Sequence, residues 1–425
     1  MKKNYFSLLL TLSSIFLIAQ NNDFNNGGGD LLWSNPANWT LNAVPGPADT
    51  VRLPLIVESQ VDAPYTITKI QTTSATSGDV AVAGSNLLTI NPGAANGYAF
   101  ENVSMNDVKL SFKGNVTLNN PSGFSRIGNA NGASNSIEFE DGSTLTLTTG
   151  LDIYPGASND INFNGTLAGS GNIRFPNNSV ATFGSTASNS GYSGQLVFIG
   201  SGTIIVNTAD NNIFYDGPKI QVNQTGGSIT LNGANVFPSG ITVGGTHAFT
   251  LNVNKNQSNM TNIIFQGSGT LNMAIGNDVT NLTFADNSAS AWNTGTLNIT
   301  NFTEGVVRFG TDNAGLTAAQ LSQIVVDNGG GPVALDSAGY LVLESSLSTN
   351  DIESGAVKRI AYPTLASNKL FFSRPQQDVK VFDLNGRMII QNQSKSQTEI
   401  AVSALNKGLY FIVFDNKIAE KFIKQ

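Results

Sequence analysis

The stretch GQLVFIGSGTIIVNT, residues 194–208, contains two short runs that alternate apolar and polar residues, separated by Gly200-Ser201-Gly202. A short run with period two is the pattern of a half-buried β-strand, and glycine and serine between such runs indicate a tight turn. The same strand–Gly-Ser-Gly–strand arrangement recurs from Gly169 and from Gly267. The stretch therefore predicts a unit of short strands that the chain repeats.

Similar units return about every 20 residues through the middle of the chain, which is the spacing of solenoid coils. In a parallel β-helix, successive coils stack about 4.8 Å apart and their inward side chains form apolar ladders. We therefore predict an all-β fold in which residues 21–350 form a right-handed parallel β-helix, or β-solenoid. Antiparallel β-sandwiches share these local cues and are the alternative, but the long uninterrupted run of strands favours the solenoid. The predicted inward residues are Leu145, Leu147, Ile161, Phe163, Leu196, Phe198, Ile204, Val206, Ile229, Leu231, Ile263, Phe265, Leu271 and Met273.

The composition agrees with a β-rich protein. Charged residues are 12% of the 425 residues, and 44 residues are glycine. Exposed helices need Glu, Lys and Arg on their solvent face, so this low charge argues against a mostly helical chain. The recurrence of Val, Ile, Leu and Phe excludes disorder. The many Asn residues at turns predict ladders in which the amide of one coil bonds that of the next.

The first 20 residues, MKKNYFSLLLTLSSIFLIAQ, have a short basic start, an apolar stretch and a polar sequel. This is the pattern of a secretory signal peptide, with cleavage near Ala19 or Gln20. A membrane anchor is the alternative, but the stretch is short for a span and Thr and Ser interrupt it. We expect residues 1–20 to direct export and to be removed.

Charge divides the chain into two modules. Residues 357–425 contain 11 Lys/Arg and 5 Asp/Glu, whereas residues 1–356 contain 11 and 24. This asymmetry predicts a boundary between Leu343 and Ala361, with a separate domain at 361–425. The acidic first module argues against nucleic acid as a partner, because binding nucleic acid needs basic surface.

The composition lacks the residue types that many catalytic sites need. The chain has no Cys, which excludes disulfides and thiolate nucleophiles, and its single His, His247, argues against His-based zinc sites and Ser-His-Asp catalysis. A lone His within an alternating run is more often structural than catalytic. We predict no catalytic residue, no metal site and no cofactor.

Two places remain as candidates for ligand contact. Glu138, Glu140 and Asp141 form the densest acidic cluster, and Glu138 and Glu140 share a strand face. Such a pair can hold Ca²⁺ or act as paired carboxylates, and the alternative is a solvated strand face beside an Asp-Gly turn. Trp292, in SASAWNTG, is a candidate to stack on a sugar ring if its side chain is exposed.

Two segments resemble the ends of bacterial extracellular β-helix proteins. Residues 30–53 carry a Trp-Asn-Trp-Pro-Asp-Val pattern that is similar to the opening motif of many such proteins, and residues 302–342 resemble the closing segment of autotransporter-associated β-strand-repeat proteins. Open solenoid ends need caps, because exposed strand edges aggregate. We expect a short helix at Thr317–Ile324, with Leu316, Leu321 and Ile324 on one side. The opening pattern consists of Trp33, Asn38, Trp39, Pro45, Asp49 and Val51, of which the two Trp are expected to pack within the cap.

The last 65 residues resemble the type A sorting domain of type IX secretion, the export system of the Bacteroidota. The matching residues are Val379, Val381, Asp383, Gly386, Arg387, Lys407, Gly408, Leu409, Tyr410, Lys421, Phe422, Ile423 and Lys424. Asn385-Gly386 favours a tight hairpin turn, and Leu409, Phe411 and Val413 alternate as a strand does. The family usually opens with Tyr-Pro-Asn-Pro, and here Tyr362-Pro363-Thr364-Leu365 stands instead.

The resemblance implies a small immunoglobulin-like β-sandwich that engages the type IX secretion machinery. It also implies passage through the outer membrane, removal of the domain, and often attachment to surface lipopolysaccharide. We expect a secreted or cell-surface β-solenoid protein, non-catalytic, acting as an adhesin or structural protein with glycan contact. The alternative is a polysaccharide-degrading β-helix enzyme, and a third interpretation is a spacer without a ligand.

Overall fold

The computed structural model describes residues 20–55, 57–129, 134–154, 160–209, 213–214, 220–237, 239–327, 331–344, 360–394, 396–414 and 418–425. The predicted signal peptide lies outside these residues except for Gln20. The chain forms two compact units, Met1–Glu344 and Ser345–Gln425. Among the described residues, none of the helices has the length and apolar character needed to span a bilayer.

The first unit is a parallel β-solenoid of about ten turns, as predicted. Each turn of the chain contributes strands to successive faces, which we call faces 1, 2 and 3. Face 1 is an 11-stranded parallel sheet with the strands Asn21–Asp23, Thr50–Leu53, Lys69–Thr72, Gly97–Asn102, Ser125–Asn129, Leu151–Tyr154, Ile173–Phe175, Leu196–Phe198, Ile220–Val222, Ile241–Val243 and Ile263–Phe265.

Face 2 is a 12-stranded parallel sheet that runs the length of the unit. Its strands are Glu58–Gln60, Val80–Ala83, Lys109–Phe112, Ser136–Phe139, Asp160–Phe163, Val180–Phe183, Thr203–Val206, Gly227–Leu231, Ala248–Val253, Thr270–Ile275, Thr296–Thr300 and Ile324–Val326. Face 3 has six strands in the early coils and a separate three-stranded sheet in the late coils. These strands are Tyr65–Ile67, Leu87–Ile90, Asn115–Leu118, Thr144–Leu147, Thr166–Gly169 and Ser188–Asn189, then Gln257–Met260, Leu282–Phe284 and Val307–Phe309.

The core consists of inward side chains stacked from coil to coil. All 14 residues predicted to face inward are at most 2% exposed. Burying one such side chain stabilises the fold by about 1.5–3 kcal/mol. On face 2, the rings of Phe112, Phe139, Phe163 and Phe183 form one continuous stack with centroids 5.1–5.5 Å apart. In-register pairing of the parallel strands places these rings directly above one another.

The Gly-Ser-Gly turns have a steric cause. Gly169 has φ of 92°, and a Cβ there would lie 2.2 Å from the carbonyl oxygen of Leu147 in the preceding coil. A Cβ on Gly171 would lie 1.9 Å from the carbonyl oxygen of Thr149. Stacked coils therefore leave no space for a side chain at these two positions.

Asparagine ladders also form as expected at the end of face 2. Asn254 donates through Nδ2 to Oδ1 of Asn232 at 2.7 Å, and Asn232 donates in the same way to Asn207 at 2.7 Å. Each amide satisfies one acceptor of the neighbouring coil. Asn therefore stabilises the stack with no ligand involved.

The amino-terminal end is capped by aromatic packing. Trp33 and Trp39 are both 0% exposed, with ring centroids 5.3 Å apart in an edge-on contact. Nε1 of Trp39 donates to the carbonyl oxygen of Trp33 at 2.9 Å. A single 3₁₀ turn, Pro36–Asn38, connects the two, and Asn38 is buried with its Nδ2 bonded to the carbonyl oxygen of Leu32. The prediction that both Trp residues pack within the cap is confirmed.

The carboxyl-terminal end of the solenoid has a short helix and a hairpin. The helix is Ala318–Leu321, with Thr317 and Gln320 in a capping box, and the antiparallel strands Val333–Leu335 and Leu341–Leu343 follow. The helix is shorter than predicted. Ile324 starts the last strand of face 2 instead of ending the helix, because it pairs in register with Leu297 of the preceding coil.

The second unit consists of mainly antiparallel strands in a sandwich-like arrangement. One sheet pairs Ala361–Tyr362, Lys369–Gln376 and Gln397–Ala401, and a five-stranded sheet has the order Leu365–Ala366, Ile418–Lys424, Gly408–Phe414, Val379–Phe382, Met388–Asn392. The predicted hairpin between Val379–Phe382 and Met388–Asn392 is confirmed. In strand Gly408–Phe414 the buried residues are Ile412 and Phe414, so the alternating set Leu409, Phe411, Val413 lies on the outer side.

The aromatic stack gives a direct test of the fold. Phe163→Ala is expected to lower the free energy of unfolding by about 3–5 kcal/mol, because it leaves a cavity between Phe139 and Phe183. The matched control is Asn162→Ala on the outer side of the same strand, with an expected effect within about 0.5 kcal/mol. Urea denaturation followed by circular dichroism measures both, and equal effects would contradict the inward stack.

Candidate functional site

The predicted acidic cluster lies on the outer side of face 2, in an ion-pair network with two lysines. Nζ of Lys109 lies 3.0 Å from Oε2 of Glu138 and 3.5 Å from Oε1 of Glu140. Nζ of Lys113 lies 2.6 Å from Oε2 of Glu58 and 3.8 Å from Oε2 of Glu140. In-register pairing places Lys109 beside the strand that carries Glu138, so the topology alone brings these charges together.

The carboxylates of this network accept hydrogen bonds from neighbouring side chains. A hydrogen bond from Lys113 lowers the pKa of Glu58, and a hydrogen bond to Glu138 raises the pKa of Lys109. Nδ2 of Asn164 also donates to Oε1 of Glu138 at 2.6 Å. Within the described part of the chain, no group of three or more His, Cys, Asp or Glu residues is arranged to hold a metal ion.

The depression beside this network is shallow, with a volume of about 320 Å³. Its lining has no aromatic side chain; it comprises Val57, Glu58, Asp79, Val80, Ala81, Lys109, Ser111, Lys113 and Glu140. Asp141 is exposed in the following turn and is not part of the ion-pair network. The geometry agrees with the alternative stated above, a solvated strand face beside an Asp-Gly turn, on which two lysines pair with three carboxylates.

Trp292 is in the core, and the expectation that it offers an exposed ring is wrong. It is 3% exposed and packs edge-on against Phe265 and Phe309, with centroids 5.4 and 6.5 Å away. The physical reason is that face 1 has no strand in this coil. The backbone N–H of Phe265 bonds the carbonyl oxygen of Ala291 in a loop, and the indole fills the space that strand side chains fill elsewhere.

His247 lies in the turn before strand Ala248–Val253, half-buried. Its Nδ1 is 3.5 Å from Oγ1 of Thr225 in the preceding coil. This contact links two adjacent turns of the solenoid, in agreement with a structural role.

A second depression, of about 390 Å³, lies between the late coils and was missed from the sequence. Asp286 and Asp312 both line it, together with Arg308. Hydrogen bonds from Ser288 lower the pKa of Asp286. Arg308 donates through Nε to the carbonyl oxygen of Ala338 at 2.9 Å. The two Asp residues are 26 positions apart, about one coil, and only knowledge of the coil register reveals that they are neighbours.

In the second unit, the predicted sorting residues form two local structures. The first is the hairpin turn after the buried Val379 and Val381. Oδ1 of Asp383 accepts hydrogen bonds from the backbone N–H groups of Asn385 and Arg387, at 3.0 and 2.9 Å. The bond from the Arg387 backbone lowers the pKa of Asp383, and Gly386 adopts φ of 74°.

The second structure joins two motifs that are separate in sequence. Residues 408–410 pair antiparallel with residues 422–424, so that Gly408 lies opposite Lys424 and Leu409 opposite Ile423. Lys407 precedes this strand and is exposed, as is Lys421. The rings of Tyr410 and Phe422 stack with centroids 5.7 Å apart, and Phe422 is 2% exposed.

Residues 361–425 match the family model of the secretion system C-terminal sorting domain. Comparison of the chain with curated proteins and with solved structures finds no match. The second unit is therefore a type IX secretion C-terminal sorting domain, and the type IX machinery is its partner. The protein is secreted, and this tail marks proteins that are often attached to the cell surface.

The lysine network predicts a small pH-dependent contribution to stability. Lys113→Gln removes the partner of Glu58, and we expect a loss of about 0.5 kcal/mol at neutral pH, since both side chains are partly exposed. Because the folded-state pKa of Glu58 is lowered, the contribution is complete above the ordinary value of 4.5 and is lost as pH falls through the lowered value. Urea unfolding of both proteins across this range measures it. A difference that grows in acid would contradict the assignment.

The turn at Asp383 predicts a secretion phenotype. Asp383→Ala removes the acceptor of two backbone N–H groups, and we expect most of the protein to remain inside the cell. The control is Lys369→Ala in the same unit, an exposed residue 2.6 Å from Glu399, which is expected to be secreted normally. Immunoblots of medium, surface and periplasmic fractions compare the two. Normal secretion of both variants would show that the turn is dispensable.

Proposed function

We propose that this protein is a non-catalytic adhesin or structural surface protein whose solenoid contacts extracellular glycans. In this proposal, residues 1–20 are the signal peptide and the sorting domain at 361–425 is removed after passage through the outer membrane. The solenoid is then released or attached to surface lipopolysaccharide. Export by type IX secretion places the solenoid outside the cell, where glycans are the abundant polymers.

The observation that supports glycan contact is a polar ladder on the outer side of face 2. Thr203, Ser228, Thr250, Asn272 and Asn298 occupy one register position on five neighbouring strands. Oγ1 of Thr203 lies 3.1 Å from Oγ of Ser228, and Nδ2 of Asn298 donates to Oδ1 of Asn272 at 2.9 Å. Hydroxyl and amide groups repeated about every 4.8 Å offer both donors and acceptors to sugar hydroxyls.

The carboxyl groups support a non-catalytic role. A glycosidase needs a general acid with a raised pKa beside a second carboxylate. Among the residues that the structure describes, the Asp and Glu side chains with a clear pKa shift are Asp30, Glu58, Asp286 and Asp383, and each pKa is lowered. For Asp30 the main cause is a hydrogen bond from Asn35. Such groups stay ionised and accept protons poorly.

A polysaccharide-degrading enzyme is the second candidate function. It is favoured by Asp286 and Asp312, which line one depression of about 390 Å³. The lowered pKa of Asp286 makes that residue a poor general acid and fits it only for the role of the ionised carboxylate in such a pair.

To distinguish the two functions, the full chain is incubated with a panel of neutral and acidic polysaccharides, and its retention on each polymer and the release of reducing ends are measured. We expect retention on at least one polymer with no release of reducing ends. Products that disappear in Asp286→Asn and Asp312→Asn would establish the enzyme, and products that persist in both variants would place catalysis elsewhere. No retention on any polymer would reject glycan contact.

A further inference from the structure

Face 1 carries a row of charged and aromatic side chains on four neighbouring strands. Tyr98, Arg126, Asp152 and Arg174 occupy one register position on its outer side. Tyr154, two residues beyond Asp152, lies opposite Gly128 of the neighbouring strand. Strand spacing of about 4.8 Å makes this row about 14 Å long.

The other three basic residues on the described strands of this face each pair with a carboxylate. Nη2 of Arg52 donates to Asp23 at 2.7 Å, Nζ of Lys69 to Glu101 at 2.9 Å, and Nη2 of Arg174 to Asp152 at 2.6 Å. Each of these pairs joins two strands that are direct neighbours in the sheet. Asp152 lies between two arginines but is engaged by Arg174 through both of its oxygens.

Arg126 differs from these basic residues. Within the described residues it has no carboxylate partner, and its Nε is buried without a hydrogen bond. Its guanidinium instead lies 4.5 Å from the ring centroid of Tyr154 and 5.9 Å from that of Tyr98. The two rings meet edge-on, with centroids 6.0 Å apart. Among the described residues, Arg126 is therefore the one cation of this row that has no carboxylate partner, and it contacts two aromatic rings instead.

We infer that Tyr98, Arg126 and Tyr154 form a binding site for a sugar ring that carries an anionic group, a carboxylate or a sulfate ester, within a polysaccharide. A guanidinium pairs with the oxygens of such a group in a planar fork. The Tyr154 side chain, 38% exposed, offers an apolar ring surface against which the sugar packs. The module around the site is acidic, so the positive charge of Arg126 differs from its surroundings. In this proposal that charge selects an anionic ligand.

The inference rests on the proposed glycan contact and narrows it to one ligand class and three residues. Its test uses the full chain and two matched polymer pairs, polygalacturonate with its methyl ester and dextran sulfate with dextran. Isothermal titration calorimetry measures the affinity for each polymer, so that carboxylate and sulfate ligands are tested separately. We expect wild-type protein to prefer the charged member of at least one pair.

Arg126→Gln is expected to weaken binding of the charged polymer about tenfold and to remove the preference over the neutral member. Tyr154→Ala is expected to weaken binding about fivefold. The charge-matched control is Lys255→Gln, an exposed residue paired with Asp278 at 3.1 Å, which should bind as wild type. Thermal denaturation of each variant confirms folding.

The outcomes distinguish the two levels of the proposal. Binding that is unchanged in both Arg126→Gln and Tyr154→Ala would overturn this site while glycan contact stands. Equal loss in Lys255→Gln would show a nonspecific charge effect and also overturn the site. Binding of neutral polymers only would reject the anionic ligand class, and no binding of any polymer would reject glycan contact as well.

Discussion

In-register stacking of parallel coils is the constraint on which the rest of this structure depends. Each strand of a face is one rung of the stack. A residue on one rung must pack against the residues about 4.8 Å above and below it, since the backbone hydrogen bonds fix that spacing. The stack of Phe112, Phe139, Phe163 and Phe183 is the clearest result on the inner side. A chain without cysteine has no disulfide to hold its coils, so these contacts and the capped ends stabilise the exported fold.

The same constraint orders the charges on the outer side. Like charges on adjacent rungs repel each other, and opposite charges on adjacent rungs attract each other. Face 1 follows this rule in its arginine and lysine pairs, and face 2 follows it where Lys109 bridges Glu138 and Glu140. Arg126 differs because its register partner Asp152 is bonded by Arg174 through both oxygens, and its guanidinium contacts the rings of Tyr98 and Tyr154 instead.

The sequence predicts what depends on a single strand, and it misses what depends on the coil register. Alternation within a run identifies the buried side of each solenoid strand, and all 14 predicted inward residues are buried. The sorting domain is predictable for a similar reason, since its motifs lie at short, ordered spacings. By contrast, Trp292 occupies the core because its coil has no face 1 strand, and Asp286 and Asp312 line one depression only because their coils are stacked. Local pattern contains neither fact. It also does not decide which side of strand Gly408–Phe414 is buried, because both of its sides carry apolar residues.

Successive strands of face 1 begin at residues 50, 69, 97, 125, 151, 173, 196, 220, 241 and 263. The intervals are unequal, yet the strands pair in register apart from one bulge at Ala99, because nearly all of the difference in length lies in the corners between faces. An insertion or deletion at a corner changes one loop and leaves every rung in place. A residue added within a strand shifts the side chains that follow it to the opposite side, unless a bulge absorbs it as at Ala99. The lineage of such a protein can therefore diversify rapidly at its corners, or gain and lose whole coils, while inheriting an unchanged core.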